Sequence, residues 1–373
     1  MSEPEPAPPL PSGSEGAAID DSAGVTGVGG FAKRRPKRTG EFETRLRRRM
    51  VTIPAVMGGA VAVTMTFPLL FTVAFLTDLA CGLGRRGWAT TRMLLMLESF
   101  LLVESVGLCA LGIVGCLTAP RSPGRLRATY ALQGGFAAAL LAAVKAIFGL
   151  RFSIEGEELV AGGPLIVFIR HSSTIDTLIP TELITRRHGL KLRFVMKTEL
   201  LADPCLDVAG HWVPNYFVLR SGSAPGEIDA IRALKSNLGP DEGILIYPEG
   251  TRFTKARQRV VLDRLKGDPL ALQSAADLKH LLPARVGGPL ALVNAAPTCD
   301  VLFVGHHGLE GYTDIGAIWA RGLHRRTVRV RFWRERAASI PRDEDTQRAW
   351  LAERWQQMDD WIAAIPSEGG HDA

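Results

Sequence analysis

The chain has 373 residues, 46% of them hydrophobic and 22% charged, with a formal net charge of +6. That length admits one large domain with an extension, or two domains. A mean hydropathy of +0.10 is high for so charged a chain, so the apolar residues must be concentrated somewhere. The five cysteines, Cys81, Cys109, Cys116, Cys205 and Cys299, are odd in number and form no C-x-x-C. Neither a disulfide framework nor a zinc site is indicated.

Residues 1–32 hold five acids, no Lys or Arg, and many Pro, Gly, Ser and Ala, the composition of a disordered tail. Nine basic residues follow between Lys33 and Arg49. Such a cluster can read as nucleic-acid binding, but beside a long apolar run attraction to anionic lipid is the simpler account. From Val51 to Thr77 no side chain is charged for 27 residues. At about 1.5 Å per residue this is about 40 Å of helix, enough to cross hydrocarbon, with Pro54 and Pro68 as points where it can bend. The run is too long and too far along the chain for a typical cleaved signal peptide.

A second apolar stretch runs from Met93 to Leu117, broken by Glu98 and Glu104. Acids in such a segment are usually paired or functional. They must be buried against the first helix, lie near the interface, or bind something, so a half-immersed hairpin and a spanning one both stay open. Arg121, Arg125 and Arg127 follow, whereas the loop between the stretches holds only Arg85, Arg86 and Arg92 against Asp78. By the positive-inside rule both ends of the hairpin face the cytoplasm. A third stretch, Ala131 to Leu150, is interrupted only by Lys145. It predicts a core or interfacial helix lying on the membrane, because a third span would move everything after it to the other side.

The apolar runs Leu165–Ile169 and Ile244–Tyr247 read as strands, and each leads into a polar motif. After the first come His171, Ser172, Ser173, Thr174, Ile175 and Asp176. A neutral imidazole, with an unperturbed pKa of about 6.5, is the usual general base. A carboxylate on its other nitrogen fixes the tautomer and stabilises the imidazolium. At roughly 100° per residue, five positions place His171 and Asp176 about 140° apart, so they cannot share one face of a regular helix. The spacing predicts His171 on the loop leaving a strand and Asp176 in the first turn of the next helix, with Ser172, Ser173 and Thr174 turning and capping it. Strand-end loops are where open α/β sheets put their chemistry. A His–Asp pair that only staples a loop has the same spacing.

The second motif is Tyr247-Pro248-Glu249-Gly250-Thr251-Arg252. Gly250 allows close backbone approach to a ligand, and Arg252 offers a fork of donors suited to phosphate. Glu249 would repel a phosphate, so it is expected to orient Arg252 or to accept a substrate hydroxyl. A tight turn with a surface ion pair is the plain alternative.

Together the two blocks resemble the glycerophospholipid acyltransferases of the 1-acyl-glycerol-3-phosphate acyltransferase type. That family carries an H-x4-D block followed by a (F/Y)-P-E-G-T-R block, and His171 and Glu249 here lie 78 positions apart. Lys197-Thr198-Glu199-Leu200 is similar to the family's K-x-E-L stretch, and Tyr216-Phe217-Val218-Leu219-Arg220 to its strand ending in Arg. The segment His280 to Gly288 looks like the branch with eukaryotic-type lysophospholipid acyltransferases. Arg170 departs from the frequent Asn, and Leu219 from a more polar residue.

The resemblance covers roughly residues 152–310. It implies His171 as base, Asp176 as its holder, and an acceptor site built from Glu249, Gly250, Thr251, Arg252, Arg220 and Lys197. The implied reaction moves an acyl chain from acyl-CoA or acyl-carrier protein to lysophosphatidic acid, without metal, cofactor or enzyme nucleophile. Backbone amides near the helix start are the expected oxyanion donors. Another lysophospholipid acceptor, or a silent lipid-binding protein, are the alternatives. A hydrolase of the G-x-S-x-G kind is disfavoured, since that motif does not surround Ser172 and Ser173.

Further on, Lys255 to Lys279 reads as a basic helical spacer. His306 and His307 read as a satisfied loop pair, and Val328 to Trp333 as an edge or half-exposed strand. Asp343 to Ile365 reads as a core-packing helix. The expected fold is α/β, a mixed sheet flanked by helices behind an N-terminal membrane-associated hairpin. Its parts would be a tail over 1–50, an anchor over 51–127 and a catalytic domain over 128–373. The expected setting is the cell membrane with that domain on the cytoplasmic side, partnered by phospholipid and not by nucleic acid.

Overall fold

The computed structural model describes residues 38–81, 87–218, 226–267 and 269–366. Residues 1–37 of the expected tail, with Arg85, Arg86, Leu219 and Arg220, lie outside the described residues, whereas residues 38–50 of it are the first turns of a helix. Residues 45–373 form one compact unit.

Three long helices come first: α1 (Arg38–Ala80), α2 (Ala89–Leu117) and α3 (Pro123–Phe148). All three are long and apolar enough to cross a membrane. α1 continues through Pro54 and Pro68. The third apolar stretch lies in α3 as far as Phe148, and the helix starts earlier than expected, at a Ser122 cap accepting the Arg125 N–H. α3 also serves the core: Val144 and Phe148 pack under the sheet, and Tyr130 Oη donates to Leu192 O at 3.2 Å.

The two acids of α2 have protein partners. Thr64 Oγ1 of α1 donates to Glu98 at 2.6 Å. Glu104 is buried and accepts the Cys205 N–H at 2.8 Å. Near the start of α2, Trp319 Nε1 donates to Thr90 Oγ1 at 3.2 Å. Near its end, the Trp212 ring packs against Gly115. α2 therefore touches the rest of the protein along nearly its whole length, while α1 leaves Val61, Met65, Leu69, Val73 and Leu76 exposed. Part of the basic cluster expected to meet lipid is committed internally: Arg48 grips both oxygens of Asp207 at 2.9 and 2.8 Å, and Arg49 donates to the Asp207 carbonyl at 2.9 Å.

The remaining chain builds a seven-stranded sheet in the order β1-β7-β6-β2-β5-β3-β4. The strands are β1 (Arg151–Glu155), β2 (Leu165–Ile169), β3 (Lys191–Lys197), β4 (Tyr216–Val218), β5 (Glu242–Ile246), β6 (Asp300–His307) and β7 (Thr327–Glu335). Every pairing is parallel except β6 with β7, so the sheet is mixed. β2 is buried at all five positions, as a central parallel strand covered on both faces must be. Alternate β2 residues feed two cores, Leu165, Val167 and Ile169 on one face and Ile166 and Phe168 on the other. β7 has the expected alternating exposure, but it lies between β1 and β6 and is not an edge. The basic spacer is two helices, α6 (Lys255–Leu265) and α7 (Pro269–Ala276), after the short α4 (Pro204–Gly210) and α5 (Glu227–Ala233). α8 (Gly287–Ala295) and α9 (Ile315–Arg321) flank β6 in sequence. The C-terminal helix α10 (Glu344–Ala363) buries Trp350, Leu351, Met358 and Ile362 as its periodicity predicts, and Trp355 as well.

Candidate functional site

Parallel pairing explains why the motifs meet. β2, β5, β3 and β6 run the same way, so their carboxyl ends share one edge of the sheet. His171 follows β2, the Tyr247–Arg252 turn follows β5, Lys197 ends β3, and His306 and His307 end β6. Open α/β sheets bind ligands at such an edge.

His171 sits on the loop and Asp176 in the first turn of a 3-10 helix, Ile175–Leu178. His171 Nδ1 and Asp176 Oδ1 are 3.0 Å apart. The other carboxylate oxygen accepts the Ser172 and Ser173 N–H groups at 2.6 and 2.7 Å. Burial by itself would raise the Asp176 carboxyl, but hydrogen bonds from His171 and His306 hold it well below the usual carboxylate range. With Nδ1 committed to Asp176, Nε2 is the nitrogen of His171 left for chemistry. The Tyr247 ring lies against the imidazole, with centroids 4.6 Å apart.

Two expectations are corrected here. The Ser172 and Ser173 amides are spent on Asp176 and are not free oxyanion donors. Ser173 does serve the turn: its Oγ accepts the Ile175 N–H at 3.2 Å and donates to Tyr312 O at 2.6 Å. Glu249 neither orients Arg252 nor faces a substrate hydroxyl. It is 2% exposed, and its two oxygens accept the N–H of His171 at 2.7 Å and of Leu282 at 3.0 Å. Burial pushes its carboxyl up to about 8, against those two backbone bonds. Glu249 thus fixes the main chain that carries His171.

Gly250 closes the turn at φ 67°, its N–H donating to Tyr247 O at 3.0 Å. A Cβ there would come within 2.8 Å of the Arg285 guanidinium, so the missing side chain lets Arg285 lie over the turn. Arg252 donates from Nη1 to Thr313 O at 2.6 Å. Its buried Nε has no partner among the described residues. Thr251 is half-buried beside it. Burial, then the charges of Arg285, Arg252 and Arg257, keep the Lys197 ammonium below its ordinary value despite Glu199. Four cations therefore crowd one mouth, a poor arrangement alone and a good one around an anion. Arg220 lies outside the described residues.

Neither motif contains Arg257, Arg285 or His306. Arg285 could have been sought in the segment His280–Gly288. His306, expected in a loop, is in β6 and fully buried. The signal for it was its place at the end of an apolar strand.

Residues 151–284 match the family described as Acyltransferase. Both motifs fall within the matched residues, and Arg285, β6 and α10 lie beyond them. No curated protein matches the sequence. Among solved structures, the 1-acyl-sn-glycerophosphate (LPA) acyltransferase PlsC from Thermotoga maritima is similar at 15% identity and a TM-score of 0.49, over 74% of this chain and 98% of that one.

Proposed function

We propose that this protein is an acyltransferase that moves a fatty acyl chain from acyl-CoA or acyl-carrier protein to the free hydroxyl of lysophosphatidic acid, giving phosphatidic acid. The observation that carries the reading is the pairing of a carboxylate-held imidazole with a cationic mouth at one sheet edge. His171 Nε2 takes the hydroxyl proton as the acceptor oxygen forms its bond to the thioester carbonyl. The C–S bond then breaks, and the proton passes from His171 to the departing thiolate. General-base help of this kind gives about 10² to 10⁴-fold. Arg252, Lys197 and Arg285 hold the acceptor phosphate and orient its glycerol, the proximity contribution. Arg220 joins them on the resemblance alone.

The proposed setting is the cytoplasmic face of the cell membrane. The basic residues around the start of α1 and after α2 support that side. Contact of α2 with the domain at both ends supports a hairpin lying along the domain, its exposed α1 face in lipid.

The test is acyl transfer by the purified protein in detergent, with acyl-CoA or acyl-carrier protein as donor and a panel of lysophospholipid acceptors, beside His171→Ala. Transfer to lysophosphatidic acid that is lost in the variant supports the proposal. Transfer only to another acceptor replaces the substrate. The absence of any His171-dependent product, with a folded protein, refutes the reading.

A further inference from the structure

Behind His171 lies a contact that neither motif contains. Arg170 and His306 are fully buried, at the ends of the paired strands β2 and β6. Each side chain meets the other's main chain. Arg170 Nη1 donates to the His306 carbonyl, and His306 Nε2 lies 3.1 Å from the Arg170 carbonyl. Arg170 is itself held, by Glu310 and by the His280 carbonyl at 2.8 Å. His306 Nε2 also lies 3.4 Å from Asp176 Oδ2.

A ring nitrogen between a carbonyl and a carboxylate faces two acceptors, so it must carry the proton. Nδ1 has no partner among the described residues, and protonating it as well would leave a buried donor unpaired. The neutral Nε2–H tautomer satisfies both constraints.

We infer that His306 is a positioning residue for the proposed base: clasped to Arg170, it shares one N–H between the carbonyl preceding His171 and the far oxygen of Asp176. The inference rests on the acyl-transfer reading of His171. The titratable groups around Asp176 are His171 on the β2 loop, His306 on β6, and Tyr247 and Glu249 after β5, with Arg170 beyond Glu249. Of these, the two imidazoles contact the carboxylate. With Ser172 N–H, Ser173 N–H and His306 on Oδ2, the carboxylate cannot rotate, and Oδ1 stays on His171 Nδ1. The same donors draw charge from the carboxylate, so His171 returns its proton to the leaving thiolate more readily.

The experiment compares His306→Leu and His306→Gln in the full chain in detergent. Both are close to histidine in size, and the glutamine amide can replace the Nε2–H. His306→Leu should lower kcat about 10- to 100-fold with the acceptor KM nearly unchanged. The acid limb of its pH–rate profile should move up, because an Asp176 carboxylate with one donor fewer holds the imidazolium more strongly. His306→Gln should recover most of the rate. A folded His306→Leu with wild-type kcat and acid limb overturns the inference, as does equal loss in both variants without a pH shift. Nitrogen-15 spectra of the imidazoles give a readout independent of turnover. A neutral Nε2–H ring at His306 is expected, and an Nδ1–H ring overturns the inference even if no acyl acceptor is found.

Discussion

Replacing Glu249 by glutamine separates two ways of holding the loop that carries His171. The wild-type carboxyl has an acceptor for each of two backbone N–H groups. Glutamine has one acceptor, so its NH₂ must face the other donor. A buried donor left unsatisfied costs about 1–3 kcal/mol. The pH dependence makes the test sharper. Glu249 is raised to about 8 by burial, whereas an unfolded glutamate ionises near 4.3. Between those values the folded state binds the extra proton, so stability falls as pH rises. The whole effect, complete above pH 8, is about 5 kcal/mol. Glu249→Gln cannot ionise and lacks this slope. The assay is denaturant unfolding in detergent from pH 5 to pH 9, for both proteins. Wild type should exceed the variant most at pH 5, and the gap should close and then reverse as pH rises toward 8. A gap that widens with pH would mean the two N–H groups hold a carboxylate, and the argument from burial would be wrong.

Two further outcomes follow from the site. In Asp176→Asn the Ser172 and Ser173 N–H groups claim the amide oxygen, and the NH₂ faces His171 Nδ1, imposing the wrong tautomer. Initial rates should fall about 10² to 10⁴-fold in a protein that still folds. Arg285→Ala should raise the KM of a phosphate-bearing acceptor about 3- to 10-fold at nearly constant kcat, since Arg285 is exposed and its bond to phosphate is partly screened. Unchanged KM and salt dependence would remove Arg285 from the cradle.

What the sequence disclosed followed from local constraints. Five positions between His171 and Asp176 ruled out one helical face, and the 3-10 turn satisfies that geometry. Two apolar runs followed by polar turns indicated strand ends, and both motifs are at the same sheet edge. What it concealed depended on distant pairing. Glu249 looked like a partner for Arg252 because the two are neighbours in sequence, yet its acceptors serve His171 and Leu282, 78 and 33 positions away. For Glu104 the sequence left burial against the first helix, the interface and ligand binding open, and its partner is the Cys205 N–H of α4. His306 and His307 looked like a loop because nothing in their own neighbourhood shows that β6 pairs with β2. Parallel partners are chosen by crossover connections, and those leave no mark on the strand itself.

The two halves of the site are built to different stiffness, and this has a kinetic consequence. The base is fixed by backbone donors: Glu249 holds its main chain, the Ser172 and Ser173 amides hold its carboxylate, and α10 braces the loop carrying Leu282 through Trp355 Nε1 to Leu282 O at 2.8 Å. The cradle is half-exposed, and its charges repel one another. An acceptor phosphate relieves that repulsion, and the energy released can order Lys197, Arg252 and Arg285 around the glycerol. Binding energy from a remote group then supports orientation at the reacting oxygen, so its loss should appear in kcat and not in KM alone. A monoacylglycerol, which keeps the hydroxyl and lacks the phosphate, is the direct probe. It should react with kcat lowered at least about tenfold, and inorganic phosphate added to the assay should restore part of that loss. If monoacylglycerol instead turns over at the full kcat with only a higher KM, the cradle binds without orienting, and His171 and Asp176 alone account for the rate.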